Sequence, residues 1–238
     1  MGSTGAVDMT VSDLEVMQGA VNYRRWVFEQ IAAHLGPRVI EVGAGIGNYT
    51  DFLLDRELVG CVDVHEPALR RLRERFAPAK QVVVVRADVA APAFRRLARF
   101  RCDTAVCLNV LEHVEDDEVA LSNIRAALCR PGKLLLMVPA VPAVMGTVDR
   151  ALGHYRRYTR SRLERLLTAR GYTIDALWWF NVAGLAGWLW NNRIARMAHE
   201  SPAQVQAYDR FVVPWVSRLE RVVPPPVGLS LVCVASTN

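Results

Sequence analysis

Apolar residues along the chain recur at two periods, and the alternation between those periods predicts an α/β fold. Tyr23, Val27, Ile31 and Leu35 share one face at helical spacing, so residues 12–35 are expected to form an amphipathic helix closed by Gly36-Pro37, with frayed residues before it. Short apolar runs then read as strands: 39–42, 58–62, 81–85, 102–108 and 133–138. The β-branched run 81–85 is of the kind buried on both faces. Helical patterns separate these runs. A helix is expected after the glycine-rich 43–47, another over 68–76 opened by Glu66-Pro67, and a third from Asp116-Asp117 with Ala120, Ile124, Ala127 and Leu128 on one face.

The second half keeps the alternation and then departs from it. Ser161-x-x-Glu164 has the form of a capping box, opening a helix that stops at Gly171. A sixth strand is expected over about 172–180 and a last one over 229–235, with more than 40 residues between them. That interval, 181–226, reads as a helical insertion: one helix from Asn181, and another from Ser201-Pro-Ala-Gln204 that Pro214 should bend. The whole chain, 1–238, is expected to be one domain.

Composition narrows the classes. The net charge is +5 with pI near 9.2, but Lys80 and Lys133 are the only lysines, so the basic balance is arginine and reads either as a preference for anionic partners or as a bias in residue usage. Five cysteines show no CxxC pair, which suits core thiols in a reducing cytoplasm; no metal is expected from their spacing. The N-terminus lacks the basic and apolar runs of a signal peptide, and the most apolar window, 176–190, is too short to span a bilayer.

The chemistry concentrates where the first strand meets Gly43, Gly45 and Gly47. Backbone without Cβ atoms takes conformations closed to other residues and approaches a ligand closely. The spacing departs from a dinucleotide fingerprint, because the third glycine comes one place early and Asn48 follows. Glu41 before the bend suits a cationic ligand better than a diphosphate. Asp63, sixteen residues after Gly47, should end the second strand at the same crevice, where a carboxylate accepts from both hydroxyls of a ribose.

Glu41-Val-Gly-Ala-Gly-Ile-Gly47 resembles the first motif of the class I S-adenosylmethionine-dependent methyltransferases, within the bacterial small-molecule group of types 11 and 12. Asn22-Tyr-Arg-Arg-Trp26, Asp88, Leu111-Glu-His113 and Leu128-Cys-Arg-Pro-Gly-Lys133 match further family segments in order. The resemblance implies a Rossmann-like doubly wound sheet of seven strands with S-adenosylmethionine (SAM) as cofactor and S-adenosylhomocysteine (SAH) as product. It implies cofactor contacts from Glu41, Gly43, Ala44, Gly45, Gly47, Asn48, Asp63, Val64, Asp88, Val89, Asn109 and His113. The alternative for Asp88 is a loop carboxylate that caps the next turn.

Selectivity is expected from the loop 149–158 and from the insertion. Gly153-His-Tyr-Arg-Arg-Tyr158 resembles the loop that lies over the transfer centre in the same group, which makes His154, Arg157 and Tyr158 catalytic candidates together with Tyr23. Histidine is the residue type suited to general-base work near neutral pH, which applies to His154, and Arg156 and Arg157 suit an anionic substrate group. The alternative is that the arginines pair with Asp149 and Glu164, that His154 caps a helix, and that Tyr23 packs on the sheet. Five of six tryptophans lie at or beyond Trp178, so the insertion reads first as a lid or core packing, second as a homodimer face, third as a membrane-grazing element.

The expected activity is methyl transfer to O, N or C of a small molecule, such as a natural product with an aromatic or apolar part. A non-methylating enzyme of the same fold and a non-catalytic SAM-binding protein remain as alternatives. The lack of an Asn-Pro-Pro-aromatic or Asp-Pro-Pro-aromatic segment speaks against DNA, and the lack of a Lys-rich stripe against RNA. Asp103 and Asn109 leave a magnesium-assisted variant open.

Overall fold

The computed structural model describes residues 4–190 and 201–238. Seven strands form one sheet: β1 (Arg38–Val42), β2 (Leu58–Asp63), β3 (Val82–Arg86), β4 (Cys102–Leu108), β5 (Leu128–Pro139), β6 (Thr173–Phe180) and β7 (Ser230–Thr237). Their order is β3-β2-β1-β4-β5-β7-β6, parallel except for β7, which runs antiparallel to both its neighbours. Chain order reverses between β1 and β4. A crevice therefore opens at the carboxyl ends of these strands. Val42 pairs with Val62 on one side and with Cys107 on the other, so Gly43, Asp63 and Asn109 emerge level along this edge.

Each face of the sheet carries its own core. Ile40, Val42, Cys107 and Leu136 pack beneath α4 (Asp117–Ala127) and α6 (Arg160–Ala169), while Val39, Cys61, Val106 and Leu135 pack beneath α2 (Val21–Glu29) and α3 (Glu66–Arg75). The central strands alternate sides with strand period, and both sides are apolar because both are covered.

Several expected elements differ. The N-terminal cover is two helices, α1 (Thr4–Gly19) and α2, so residues 4–12 are helical rather than frayed. Ala20, with φ −81° and ψ 68°, leaves the helical region between them, and its side chain caps nothing. The start of α2 is instead satisfied from far along the chain: the buried Asp209 carboxylate accepts from Tyr23 N–H at 2.7 Å and from the Asn22 side chain at 3.1 Å.

No α-helix follows the glycine bend. Gly43, Gly45 and Gly47 all have positive φ, and only a short 3-10 turn, Thr50–Leu53, fits before β2. The strand β3 lies at the sheet edge, and its valines are half-buried on both faces, Val82 and Val84 against one core and Val85 against the other, rather than fully buried. The cap of α6 is Thr159, whose hydroxyl accepts from Arg162 N–H, whereas Glu164 pairs with Arg160.

The segment between β6 and β7 is helical where described: α7 (Val182–Leu189), α8 (Pro202–Ala207) and α9 (Val213–Val222). Pro214 does not break this run. A π-helical turn, Tyr208–Val212, widens the backbone just ahead of it and takes up the missing N–H and the ring's bulk. The same turn carries Asp209 to α2. Glu220 of α9 accepts from Asn181 N–H and Val182 N–H and so anchors the start of α7. No described helix is long and apolar enough to cross a membrane.

Candidate functional site

The glycine bend is held from three sides. Gly43 N–H and Ala44 N–H both donate to the Val62 carbonyl, at 2.8 and 3.0 Å, tying the bend to β2. Gly45 N–H donates to Asp63 at 2.8 Å. The other oxygen of Asp63 accepts from Val64 N–H and His65 N–H at 2.7 and 2.9 Å. Burial opposes charge on Asp63, but the His65 ring and the backbone N–H groups of His65 and Gly45 outweigh it and hold the carboxyl below its usual range. Asp63 is thus an anion at the mouth of the crevice.

The expected cofactor residues fall into two groups. Gly43, Ala44, Gly45, Gly47, Asn48, Asp63 and Val64 gather around the bend and the end of β2. Asp88, Val89, Asn109 and His113 follow the carboxyl ends of β3 and β4. Asp88 is exposed, and its carboxylate accepts from Ala90 N–H at 2.8 Å, which is the turn-capping geometry. Asn109 is exposed with φ 54°.

Glu41 does not face outward. It is buried beneath the bend, accepting from the Thr50 hydroxyl at 2.6 Å and lying against the Cys61 thiol. Burial pushes its pKa from 4.5 to about 7, and the bonds from Thr50 and Cys61 offset only part of that. Between those two values the folded protein holds a proton that the unfolded chain releases, so stability falls as pH rises through the window. Glu41→Gln is expected to be up to about 3 kcal/mol more stable than the wild type near pH 8 and nearly equal to it near pH 5. Urea unfolding at the two pH values checks this; an equal difference at both contradicts it.

The helix α1 covers the bend. Leu14 reaches within 2.9 Å of where a side chain at Gly45 would begin, Val110 fills the equivalent space at Gly43, and the Leu14 carbonyl accepts from Asn48 Nδ2 at 2.9 Å. Two buried polar atoms at this place have no partner: Asn48 Oδ1 and Arg24 Nε. Arg24, which the sequence did not single out, donates to the Asn48 carbonyl at 2.7 Å. Tyr23 beside it packs its ring against Trp26 and Phe180, at 6.3 and 6.4 Å between centroids.

Across the crevice, α5 (Thr147–Ala151) and the loop after it converge on Asp149. This fully buried carboxylate accepts from Arg157 Nε at 2.6 Å, His154 Nδ1 at 3.0 Å, Gly146 N–H at 2.9 Å and Trp188 Nε1 at 3.3 Å. Burial opposes its charge, but the His154 and Arg157 contacts outweigh it and bring its pKa down to about 2. Trp188 of α7 also lies over the Arg157 guanidinium at 4.8 Å, so the insertion closes over this loop.

Neither loop arginine is a free anion-binding group. Arg157 is buried on Asp149 and the Ala140 carbonyl, and Arg156 pairs with Asp117 at 2.9 Å. Tyr158 lies wholly in the core, its hydroxyl donating to Asp117 at 3.0 Å. The side chain of His154, 8% exposed, lies against the turn after β4. Its ring meets that of His113 edge-on, with centroids 4.6 Å apart. Desolvation and the neighbouring His154 push His113 down to about 4, and burial pushes the adjacent Glu112 up to about 8. Asp103 sits at the opposite end of β4, accepting from Arg38 N–H. Six strand residues, about 20 Å, separate it from Asn109, so the two cannot share a magnesium ion.

Residues 40–134 match the family model described as a methyltransferase domain. No curated protein matches the sequence. Among solved structures, the chain is similar to an S-adenosylmethionine-dependent methyltransferase from Mesorhizobium loti, with TM-score 0.60 and 16% identity over 89% of this chain and 97% of that one. The N-methyltransferase NodS of Bradyrhizobium japonicum, in complex with SAH, aligns with TM-score 0.55 and 14% identity over 90% and 84%. The 1,6-didemethyltoxoflavin-N1-methyltransferase of Burkholderia thailandensis aligns with TM-score 0.55 and 20% identity over 90% and 78%. The family match spans β1 into β5, so residues 40–134 carry the methyltransferase-domain match, and the whole chain shares its fold with these S-adenosylmethionine-dependent methyltransferases.

Proposed function

We propose that the protein transfers the methyl of SAM to a nucleophilic atom of a small molecule held between the bend and the His154 loop. The observation that carries this reading is the pairing of two preorganised walls: an ionised Asp63 fixing a three-glycine bend, and facing it a loop locked by Asp149 that leaves one histidine nitrogen free. The residues at the bend fit the cofactor. Asp63 suits a ribose diol, Asn48 Oδ1 an ammonium group and Arg24 Nε a carboxylate, which are the polar ends of SAM. Leu14 must then shift from Gly45 as the cofactor enters. Bound there, SAM supplies a methyl on a sulfonium, so the protein has chiefly to align the partners and exclude water.

With SAM held there, the carbon–sulfur bond would break toward sulfur as the acceptor atom bonded the methyl carbon, and the acceptor's proton would pass to His154. We assign activation of the acceptor to His154, because Asp149 engages its Nδ1 and leaves Nε2 as the nitrogen that can take a proton. Arg157 and Tyr158 are positioning residues: one locks Asp149, the other anchors the loop to Asp117. Trp188 acts as the lid, giving the pocket an apolar aromatic wall suited to an acceptor with an aromatic or apolar part. The toxoflavin-precursor methyltransferase among the similar structures acts on such a molecule.

Incubation with methyl-labelled SAM and a bacterial small-molecule extract is the test. Label is expected in a small-molecule product, and His154→Ala should lower the rate on the order of 100-fold while SAH binding stays within a few fold. Label appearing only in nucleic acid or protein, or an unchanged rate in the variant, contradicts the reading.

A further inference from the structure

The sequence shows no metal-ligand spacing, yet folding brings three donors together from two separate segments. Glu112, His113 and His154 each offer a ligand atom, and all three atoms lie within 4.8 Å of one another at the crevice mouth. We propose that these residues bind a divalent transition ion of the zinc class. The inference rests on the methyl-transfer reading for its function but not for its geometry.

Three observations point to an ion. Glu112 is 1% exposed, and its Oε2 has no hydrogen-bond partner. A buried carboxyl oxygen left unsatisfied is costly, so it stands ready for a ligand. One of the histidines, moreover, is held through its other nitrogen: Asp149 accepts from His154 Nδ1 at 3.0 Å. A carboxylate behind an imidazole is the usual support of a metal-ligating histidine. Finally, the two segments are pinned to each other: the Glu112 carbonyl accepts from Tyr155 N–H at 2.8 Å, directly beside His154.

The donor set selects the ion. Two imidazoles and one carboxylate suit zinc, cobalt or iron, whereas magnesium and calcium prefer all-oxygen sites. Ligand atoms on a tetrahedral ion about 2.1 Å away stand roughly 3.4 Å apart, so the present spacing closes with small side-chain rotations. Three protein ligands leave a coordination position open toward the crevice. Asp149 and Arg157 cancel one another, and Glu112 neutralises half of a divalent ion. One positive charge remains, which an ionised hydroxyl on the acceptor balances. The acceptor class is therefore an alcohol or phenol rather than an amine: its hydroxyl would lose its proton to water on meeting the ion, and the activation assigned above to His154 would then be exercised as a ligand of that ion.

The test uses tag-free full-length protein, stripped with a chelator and titrated with Co(II). One equivalent is expected to bind with the visible absorption of a low-coordinate site, and Zn(II) should displace it while Mg(II) does not. Glu112→Gln and His113→Ala should each weaken Co(II) binding on the order of tenfold or more, with circular dichroism confirming the fold. Absence of a stoichiometric site, or binding unchanged in both variants, overturns the proposal. Calorimetry with SAH on the stripped protein separates the two readings: SAH bound by protein that takes no Co(II) overturns the metal site and leaves methyl transfer standing. Co(II) bound at these residues by protein that takes no SAH supports the metal site and counts against the methyl-transfer reading.

Discussion

Asp63→Ala is expected to weaken SAH binding by about 100-fold or more while leaving the fold intact. The side chain does two jobs. It ties Gly45 N–H at 2.8 Å, which sets the bend, and it remains ionised, which makes it a strong acceptor for a ribose. Hydrogen bonds to a charged group contribute roughly 1.5–3 kcal/mol each, so losing two costs about 3–6 kcal/mol. At 1.4 kcal/mol per factor of ten, that is at least two orders of magnitude. Asp63→Asn keeps acceptor geometry without the charge and should fall between. Because Asp63 also ties Gly45, Val64 and His65, Tm should fall somewhat while circular dichroism keeps the folded signature. Calorimetry that finds tight SAH binding in the alanine variant means that the ribose is elsewhere.

Asp149→Ala should destabilise the protein by about 3–5 kcal/mol, the effect of leaving a buried charge without its partner. Arg157 is 2% exposed, and once Asp149 is gone its guanidinium keeps the Ala140 carbonyl but loses its directly bonded counter-charge. For a chain of this size each kcal/mol corresponds to roughly 2–4 °C, so Tm should fall on the order of 10 °C. His154 loses the acceptor that fixes its tautomer, and Trp188 loses an indole partner, so loop and lid loosen together. Acid should mimic the substitution in part. The carboxyl titrates near 2 when folded and near 3.8 otherwise, so its stabilisation is complete above about pH 4 and fades below it. A Tm within 2 °C of the wild type contradicts the view that this ion pair holds the loop.

The sheet was largely legible because its signals are local. Buried runs such as 102–108 need only a few consecutive apolar residues, and a bend with three glycines announces itself without any distant partner. What escaped depended on distant contacts. The break at Ala20 is tolerated because Asp209 caps α2, and nothing near Ala20 in the chain says so. The 81–85 run has the composition of a central strand, and only sheet order makes it an edge.

The site divides along the same line. Asp63 is found by counting residues past the bend, and Asn109, Glu112 and His113 by their place after β4. Arg157 and Tyr158 have the residue types of a catalytic loop yet fold into the interior, and no spacing rule distinguishes a buried placement from an exposed one. The Asp149 hub gathers groups from α5, the loop and α7. The cluster of Glu112, His113 and His154 likewise exists only once the 3-10 turn after β4 and the loop after α5 are set side by side.

The most direct measurement is a crystal structure of the protein grown with SAH. The account predicts the ribose hydroxyls on Asp63, the amino-acid end beside Asn48 and Arg24, and Leu14 moved off Gly45. SAH bound away from the bend, or the bend still closed by Leu14 under saturating SAH, contradicts it.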